Sequence, residues 1–199
     1  MPRRYNRSGR DAAMARTRAH IVEAVVALHA ERGAHDTSYA QIAERADVAI
    51  PTVYKYFPSL DVLFDACVGH VRERAPALGS HLFEGLTGAP ERLAALAKAM
   101  AARHRYFRPW LRWSVEQAAP PELAVHHRRA DEAHRAMIRE AVSPAFASQP
   151  PPALIGLLAS LLDFRTWQTL VTDFGLTDAQ AAESMADAAR HVLTGYATA

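Results

Sequence analysis

Residues 37–60 read TSYAQIAERADVAIPTVYKYFPSL, and this stretch decides the fold. Ser38 followed three residues later by Gln41 is a capping-box pattern, in which a hydroxyl and an amide satisfy backbone donors at a helix start, so a helix is expected from about Tyr39. Ile42, Ala43 and Ala46 place a narrow apolar stripe on one side of that helix, with Glu44 and Arg45 facing away. Val48 follows Asp47 as the apolar plug between two short helices that cross steeply. Pro51 suits the first turn of the second helix, where its missing N–H has no partner to lose and its φ is already helical. Val53 and Phe57, four apart, give that helix a buried face. Ile50, Thr52, Tyr54, Lys55 and Tyr56 are left outside. They offer a methyl for thymine, hydroxyls for phosphates or base edges, and one cation for a phosphate or a guanine edge. The pattern is a helix-turn-helix with chemistry suited to a DNA duplex.

The segment Ser38 to Phe57, with Ile42–Ala43 and the run PTVYKYF at Pro51 to Phe57, resembles the TetR family of bacterial transcriptional regulators. The likeness extends outward. Ile21, Ala24, Val25 and Leu28 give the apolar face of a preceding helix ending near Gly33, and Asp61, Leu63 and Phe64 open a helix after the motif. The run from Phe164 to Gly195 resembles the last two helices of that family. The resemblance implies DNA contacts by Ser38, Tyr39, Ile50, Pro51, Thr52, Tyr54, Lys55 and Tyr56. It also implies a palindromic operator, a homodimer, and a small-molecule effector bound in a helical body. Three positions depart from the family pattern: Asp47 stands for glycine, Ala49 for serine or threonine, and Leu60 for lysine or arginine. Asp47 must take the conformation a glycine would take, which Asp does better than most residues. Ala49 cannot cap the second helix through its side chain. Leu60 cannot pair with a phosphate, which shifts backbone affinity toward the N-terminal end.

That end is basic. Residues 1–20 hold Arg3, Arg4, Arg7, Arg10, Arg16 and Arg18 against the single acid Asp11. Residues 1–57 carry nine Lys and Arg against six Asp and Glu, or +3, whereas residues 58–199 carry fourteen against fifteen, or −1. The asymmetry fits a nucleic-acid-facing head on a neutral body. Arg3, Arg4, Arg7 and Arg10 are expected on a flexible arm over residues 1–14 that reaches phosphates or a minor groove. The DNA-binding head then covers 15–75, and an effector-binding and dimerisation domain covers 76–199. The start lacks the apolar core of a signal peptide, and no run of about eighteen apolar residues suggests a membrane span, so a cytoplasmic protein is expected. The single cysteine, Cys67, shares a helical face with Leu63 and Phe64 and reads as a small buried apolar residue.

Beyond residue 75 the periodicity is helical throughout and no strand is expected, so the fold class is all-α. Leu93, Leu96, Ala97 and Met100 make one stripe, Met137, Ile138 and Val142 part of another, and Leu154, Leu157, Leu158, Leu161 and Leu162 a third. Thr177 with Gln180 forms a second capping box, predicting a last helix from about Asp178 to Tyr196. A helix expected over about Pro152 to Asp173 is apolar on more than one side, which suggests that part of it meets another chain. The family resemblance implies that the last two helices pair with their symmetry mates in a four-helix dimer interface, with Leu157, Leu161, Phe164, Gln168, Ala189, Val192 and Tyr196 as the candidate residues. His104, Phe107, Trp110, Trp113, Phe164 and Trp167 are the candidate effector residues, since aromatic walls with a few polar points characterise small-molecule sites.

Ten histidines raise a metal site, but His127 and His134 are seven apart and His126 and His127 diverge around a helix, so no metal and no cofactor are expected. Neither a glycine-rich phosphate loop nor a nucleophile elbow is present, so an enzyme is not expected. Two other functions stay open: a DNA-binding dimer without an effector, and an all-α enzyme or carrier with a degenerate head.

Overall fold

The structure, a computed structural model, describes residues 7–113 and 120–197. Among the described residues all regular structure is helical: α1 Arg7–Arg32, α2 Tyr39–Arg45, α3 Ile50–Tyr56, α4 Leu60–Glu73, α5 Ala89–Leu111, α6 Ala124–Val142, α7 Pro152–Leu161, α8 Phe164–Thr172 and α9 Asp178–Ala197. The chain divides into two compact units. One comprises residues 1–74 with 112–124, the other residues 75–111 with 125–199. The first crossing, at 74/75, lies one residue before the expected boundary at 75/76, and residues 112–124, expected in the body, group with the first unit.

In the first unit, Ile21, Val25 and Leu28 of α1, Ile42 and Ala43 of α2, Val53 of α3, Phe57, and Leu63 and Cys67 of α4 form one apolar core. Burying each of the larger side chains is worth roughly 1.5–3 kcal/mol relative to leaving it in water. Phe57 and Val53 are fully buried, so the inner face of α3 anchors the helix and leaves Ile50, Pro51, Tyr54 and Lys55 exposed. His29 lies against Phe64, with ring centroids 5.5 Å apart, and its Nδ1 is 3.9 Å from Cys67 Sγ. Burial pushes the Cys67 thiol up to about 12, so this cysteine is a protonated core residue, as its position on the helix face suggests.

Helix α1 ends at a glycine for a physical reason. Gly33 has φ +85°, and a Cβ there would sit 3.2 Å from Trp113 Cγ. Both the left-handed backbone and the close approach favour a residue without a side chain. Trp113 Nε1 also donates to the Ala30 carbonyl at 3.3 Å, and Arg112 donates to the same oxygen at 2.9 Å. Trp113, expected in an effector pocket, is instead part of the head.

The start of α1 corrects a second expectation. Residues 7–14, expected as part of a flexible arm, are helical. Their alanines and arginines are good helix formers, and the charge that suggested an arm does not oppose a helix. From residue 9 to His20 nearly every side chain is exposed, so this half of α1 carries Arg10, Arg16 and Arg18 on a helical scaffold.

In the second unit the core joins Leu93, Leu96, Ala97 and Met100 of α5, Met137, Ile138 and Val142 of α6, Leu154, Ile155 and Leu158 of α7, Trp167 of α8, and Met185, Ala189 and Leu193 of α9. The box at Thr177 forms as expected: the Thr177 N–H and hydroxyl donate to Gln180 Oε1, both at 2.9 Å, and Gln180 N–H donates back to the hydroxyl at 3.3 Å. The single helix expected over 152–173 is broken. Asp163 accepts from Arg165 N–H at 2.9 Å and caps a new helix, offering the backbone an alternative to continuing α7. Thr166 seals the corner by donating to the Ser160 carbonyl at 2.7 Å.

Candidate nucleic-acid interface

The outer face of the helix-turn-helix is positioned from its first residue. Ser38 N–H and hydroxyl donate to Gln41 Oε1 at 2.8 and 3.0 Å, and Gln41 N–H donates to Ser38 Oγ at 3.3 Å. The Ser38 hydroxyl is thus engaged in fixing the start of α2. Arg45, at the other end, donates through both terminal nitrogens to the Glu31 carboxylate at 2.8 and 2.7 Å. This bidentate pair ties α2 to α1, and the hydrogen bond from Arg45 holds the Glu31 carboxyl below its ordinary pKa.

The turn uses Asp47 at φ +51°, the left-handed conformation expected of a residue standing in for glycine. Val48 N–H bonds back to the Ala43 carbonyl at 3.0 Å, and Val48 packs on the apolar core. Ala49 caps α3 with its backbone only: its carbonyl accepts from Thr52 N–H at 2.8 Å. All three features follow from the sequence reading of the turn.

Two aromatic rings then join the helices. The Tyr39 hydroxyl donates to the Phe57 carbonyl at 3.1 Å, tying the first turn of α2 to the end of α3. Its ring stacks on Tyr54 with centroids 4.4 Å apart and planes 8° from parallel. Burial, and then the neighbouring Tyr54, raise the Tyr39 phenol above its ordinary pKa, so it remains a donor near neutrality. Tyr54 itself is 52% exposed and Ile50 44%. Pro51 and Lys55 are exposed beside them, and Thr52 and Tyr56 are half-buried. Lys55 Nζ lies 5.9 Å from the Tyr56 ring centroid. The structure therefore brings Tyr39, Ile50, Pro51, Thr52, Tyr54, Lys55 and Tyr56 onto or beside one surface, with Ser38 holding its edge.

Arg18 was not singled out among the contact candidates. Its guanidinium sits 5.1 Å from the Phe57 ring centroid, at the end of α3. Its position three residues before the buried Ile21 is the signal that could have placed it there. Arg10 is exposed on α1, Arg3 and Arg4 lie outside the described residues, and so does the side chain of Arg7.

The expected effector residues pack on one another and on their neighbours. His104 Nε2–H donates to the Leu162 carbonyl at 2.9 Å, and His104, Phe164 and Trp167 pack with centroids 5.8–6.0 Å apart. Burial lowers the His104 pKa to about 4, leaving a neutral imidazole inside a packed core. Phe107 packs edge-on against Tyr106, and Trp110 is tilted beside the same ring. A different, open cleft of about 450 Å³ lies among Asp131, His134, Arg135, Ala159, Ser160, Asp163, Arg165 and Thr166. Nearby in sequence, the buried atoms His134 Nε2, Trp167 Nε1 and Gln168 Oε1 have no hydrogen-bond partner among the described residues. No periodicity announced this cleft, because it opens at the unexpected corner between α7 and α8.

The dimer candidates also separate. Phe164 is 6% exposed and Ala189 fully buried in the protomer's own core, so neither can meet a second chain as expected. Leu157 is 48% exposed, and Leu161, Gln168, Val192 and Tyr196 are half-buried. No helix among the described residues is long and apolar enough to cross a membrane.

Comparison with known proteins agrees with the helix-turn-helix. Residues 21–67 match the family described as bacterial regulatory proteins, tetR family. A stretch of 60 residues is 38% identical to the HTH-type transcriptional repressor KstR of Mycolicibacterium smegmatis; it covers 30% of this chain and 29% of that protein. The chain thus matches less than a third of the length of this curated relative. The fold is similar to the crystal structure of a TetR transcription regulator from Haloarcula marismortui, with TM-score 0.63 and 16% identity over 92% of this chain and 98% of the other. It is also similar to a structure described as a TetR-family transcriptional regulator from Rhodococcus sp., with TM-score 0.63 and 18% identity over 89% and 99%. The all-helical fold is the one these two solved structures share, and residues 21–67 are similar to the tetR-family model.

Proposed function

We propose that this chain, with its tetR-family head, is a sequence-specific DNA-binding transcriptional regulator that acts as a homodimer on a palindromic operator and represses until a small molecule lowers its DNA affinity. The observation that carries the reading is the outer face of α3. Ile50, Pro51, Tyr54 and Lys55 are exposed while Val53 and Phe57 are fully buried in the core with Tyr56 packed against it, and the Tyr39 ring stacks on Tyr54. A helix presented this way suits the major groove, whose width admits one helix and whose base edges these side chains match. Arg10, Arg16 and Arg18 add cations for phosphates, which position the protein without reading sequence.

A two-fold dimer would present two such helices to successive half-sites, and the apolar surface at Leu157 supports a second chain there. Release by a ligand is a population shift: the ligand acts only as far as it binds the DNA-free form better than the DNA-bound form. The cleft at His134, Asp163 and Arg165 is the effector site we propose. The closed packing of His104, Phe164 and Trp167 favours a second reading, a DNA-binding dimer controlled without a small molecule.

Titrating a bound duplex with protein tests the assembly, with two chains per operator expected by sedimentation; a single chain per duplex contradicts it. A compound that raises the melting temperature and lowers DNA affinity supports the effector reading. Compounds that bind in the cleft without changing DNA affinity contradict it.

A further inference from the structure

Resting on the DNA-binding reading above, we infer that the protein reads its operator mainly through the C5-methyl groups of thymines, with Ile50 and the Thr52 methyl as the specificity-determining contacts. The argument is one of chemical elimination on α3. Paired hydrogen bonds to adenine come from Asn or Gln, acceptance from cytosine comes from Asp or Glu, and the commonest guanine contact comes from Arg or Lys. The sequence of α3, IPTVYKY, holds none of Asn, Gln, Asp, Glu or Arg. Lys55 is its one hydrogen-bonding cation, and it stands toward the C-terminal end of the helix beside Tyr56. Helix-turn-helix proteins read base edges mostly with the N-terminal residues of this helix, and here those are Ile50, Pro51 and Thr52.

Three of the polar groups on the neighbouring helix start are engaged within the motif. Gln41 Oε1 takes both donors of Ser38, and the Tyr39 hydroxyl donates to Phe57. The first two residues at the reading end are apolar and exposed, Ile50 at 44% and Pro51 beside it, and half-buried Thr52 brings a methyl together with its hydroxyl. Ile50 also lies four residues from Tyr54, so the two share one side of the helix. In the major groove the thymine methyl is the one base feature that an apolar side chain recognises. An operator read this way holds thymines at the positions under the start of α3, with at most one guanine per half-site read by Lys55.

The test takes a duplex selected by the full-length protein and replaces each thymine of one half-site in turn with deoxyuridine. This removes only the C5-methyl and keeps every hydrogen-bonding edge. Fluorescence anisotropy then gives Kd for each duplex. We expect at least one position where binding weakens about fourfold, the equivalent of the roughly 0.8 kcal/mol of a buried methylene-sized group. At that position Ile50→Ala or Thr52→Ser, the latter keeping the hydroxyl, should bind the thymine and uracil duplexes alike. Equal affinity of the unaltered protein for every substituted duplex overturns the inference and leaves sequence-specific binding standing. Methyl sensitivity that survives in both variants also overturns it, because the effect then belongs to the shape of the duplex. Failure to select any duplex overturns the DNA-binding reading itself.

Discussion

The Tyr54 ring lies flat on the Tyr39 ring, 4.4 Å between centroids and 8° from parallel, while the Tyr39 hydroxyl is bonded to the Phe57 carbonyl. The contact joins an exposed side chain to the frame of the motif. Tyr54→Ala forfeits a stack worth about 0.5–1.5 kcal/mol and leaves the buried side of α3 intact. It should therefore weaken DNA binding at least about tenfold with a small loss in melting temperature. Lys55→Ala should behave alike and reduce the salt dependence of binding, since one cation facing the duplex is lost. A large loss of thermal stability in either variant would show that these side chains serve the fold instead.

Asp47 sits in the turn at φ +51°, where an L-residue carries strain that Asp bears through its short polar side chain. Asp47→Val places a β-branched residue there and should destabilise the head by about 1–2 kcal/mol in urea unfolding. Asp47→Gly should be close to neutral, because relief of strain and the greater chain entropy of glycine offset each other. Equal stability of the two variants would show that the turn relaxes.

Acid should destabilise the protein through its buried histidines. Burial pushes His29 and His104 from 6.5 down to about 4. Below the ordinary value the unfolded chain takes up protons that the folded chain refuses until about pH 4. The stability held by the neutral rings is thus fully present above 6.5, declines as pH falls, and levels off near 4. Each site can account for roughly 3 kcal/mol at the acid end. Urea midpoints measured from about pH 7 to about pH 4 should fall, and His29→Leu should make the fall shallower. A midpoint that is flat over this range contradicts both assignments.

The apolar surface at Leu157, 48% exposed, belongs to a helix whose other side already fills the core with Leu154, Ile155 and Leu158. Leu157→Asp should convert a sedimenting dimer to monomer and weaken operator binding, with little change in the monomer's fold. A variant that remains dimeric would move the interface elsewhere, with Phe174, 71% exposed, the next surface to alter.

The head was legible because its determinants are local. The Ser38 and Gln41 box, Pro51 in the first turn, and the spacing of Ile42, Ala43, Val53 and Phe57 act within one or two turns, and each formed as its chemistry dictates. The box at Thr177 was legible for the same reason. Other features depend on partners distant in sequence. Trp113 packs against Gly33, eighty residues away, so its aromatic character alone suggested a pocket wall. Apolar periodicity runs through Leu161 and Phe164, which hid the break made by the Asp163 cap. A family resemblance says which helices meet a second chain but not which of their residues face it, and Phe164 and Ala189, candidates on that ground, fill the core of their own chain. At the N-terminus, composition pointed to an arm where helix-forming residues extend α1.

The most direct test of the account is selection of bound sequences from a random duplex library by the purified full-length protein, followed by anisotropy on the selected duplex at two salt concentrations. The account predicts a palindromic site with thymine-rich half-sites, bound far more tightly than a scrambled duplex at both salts. Binding that is only salt-sensitive and sequence-independent would contradict it, because α3 would then be touching phosphates without reading bases.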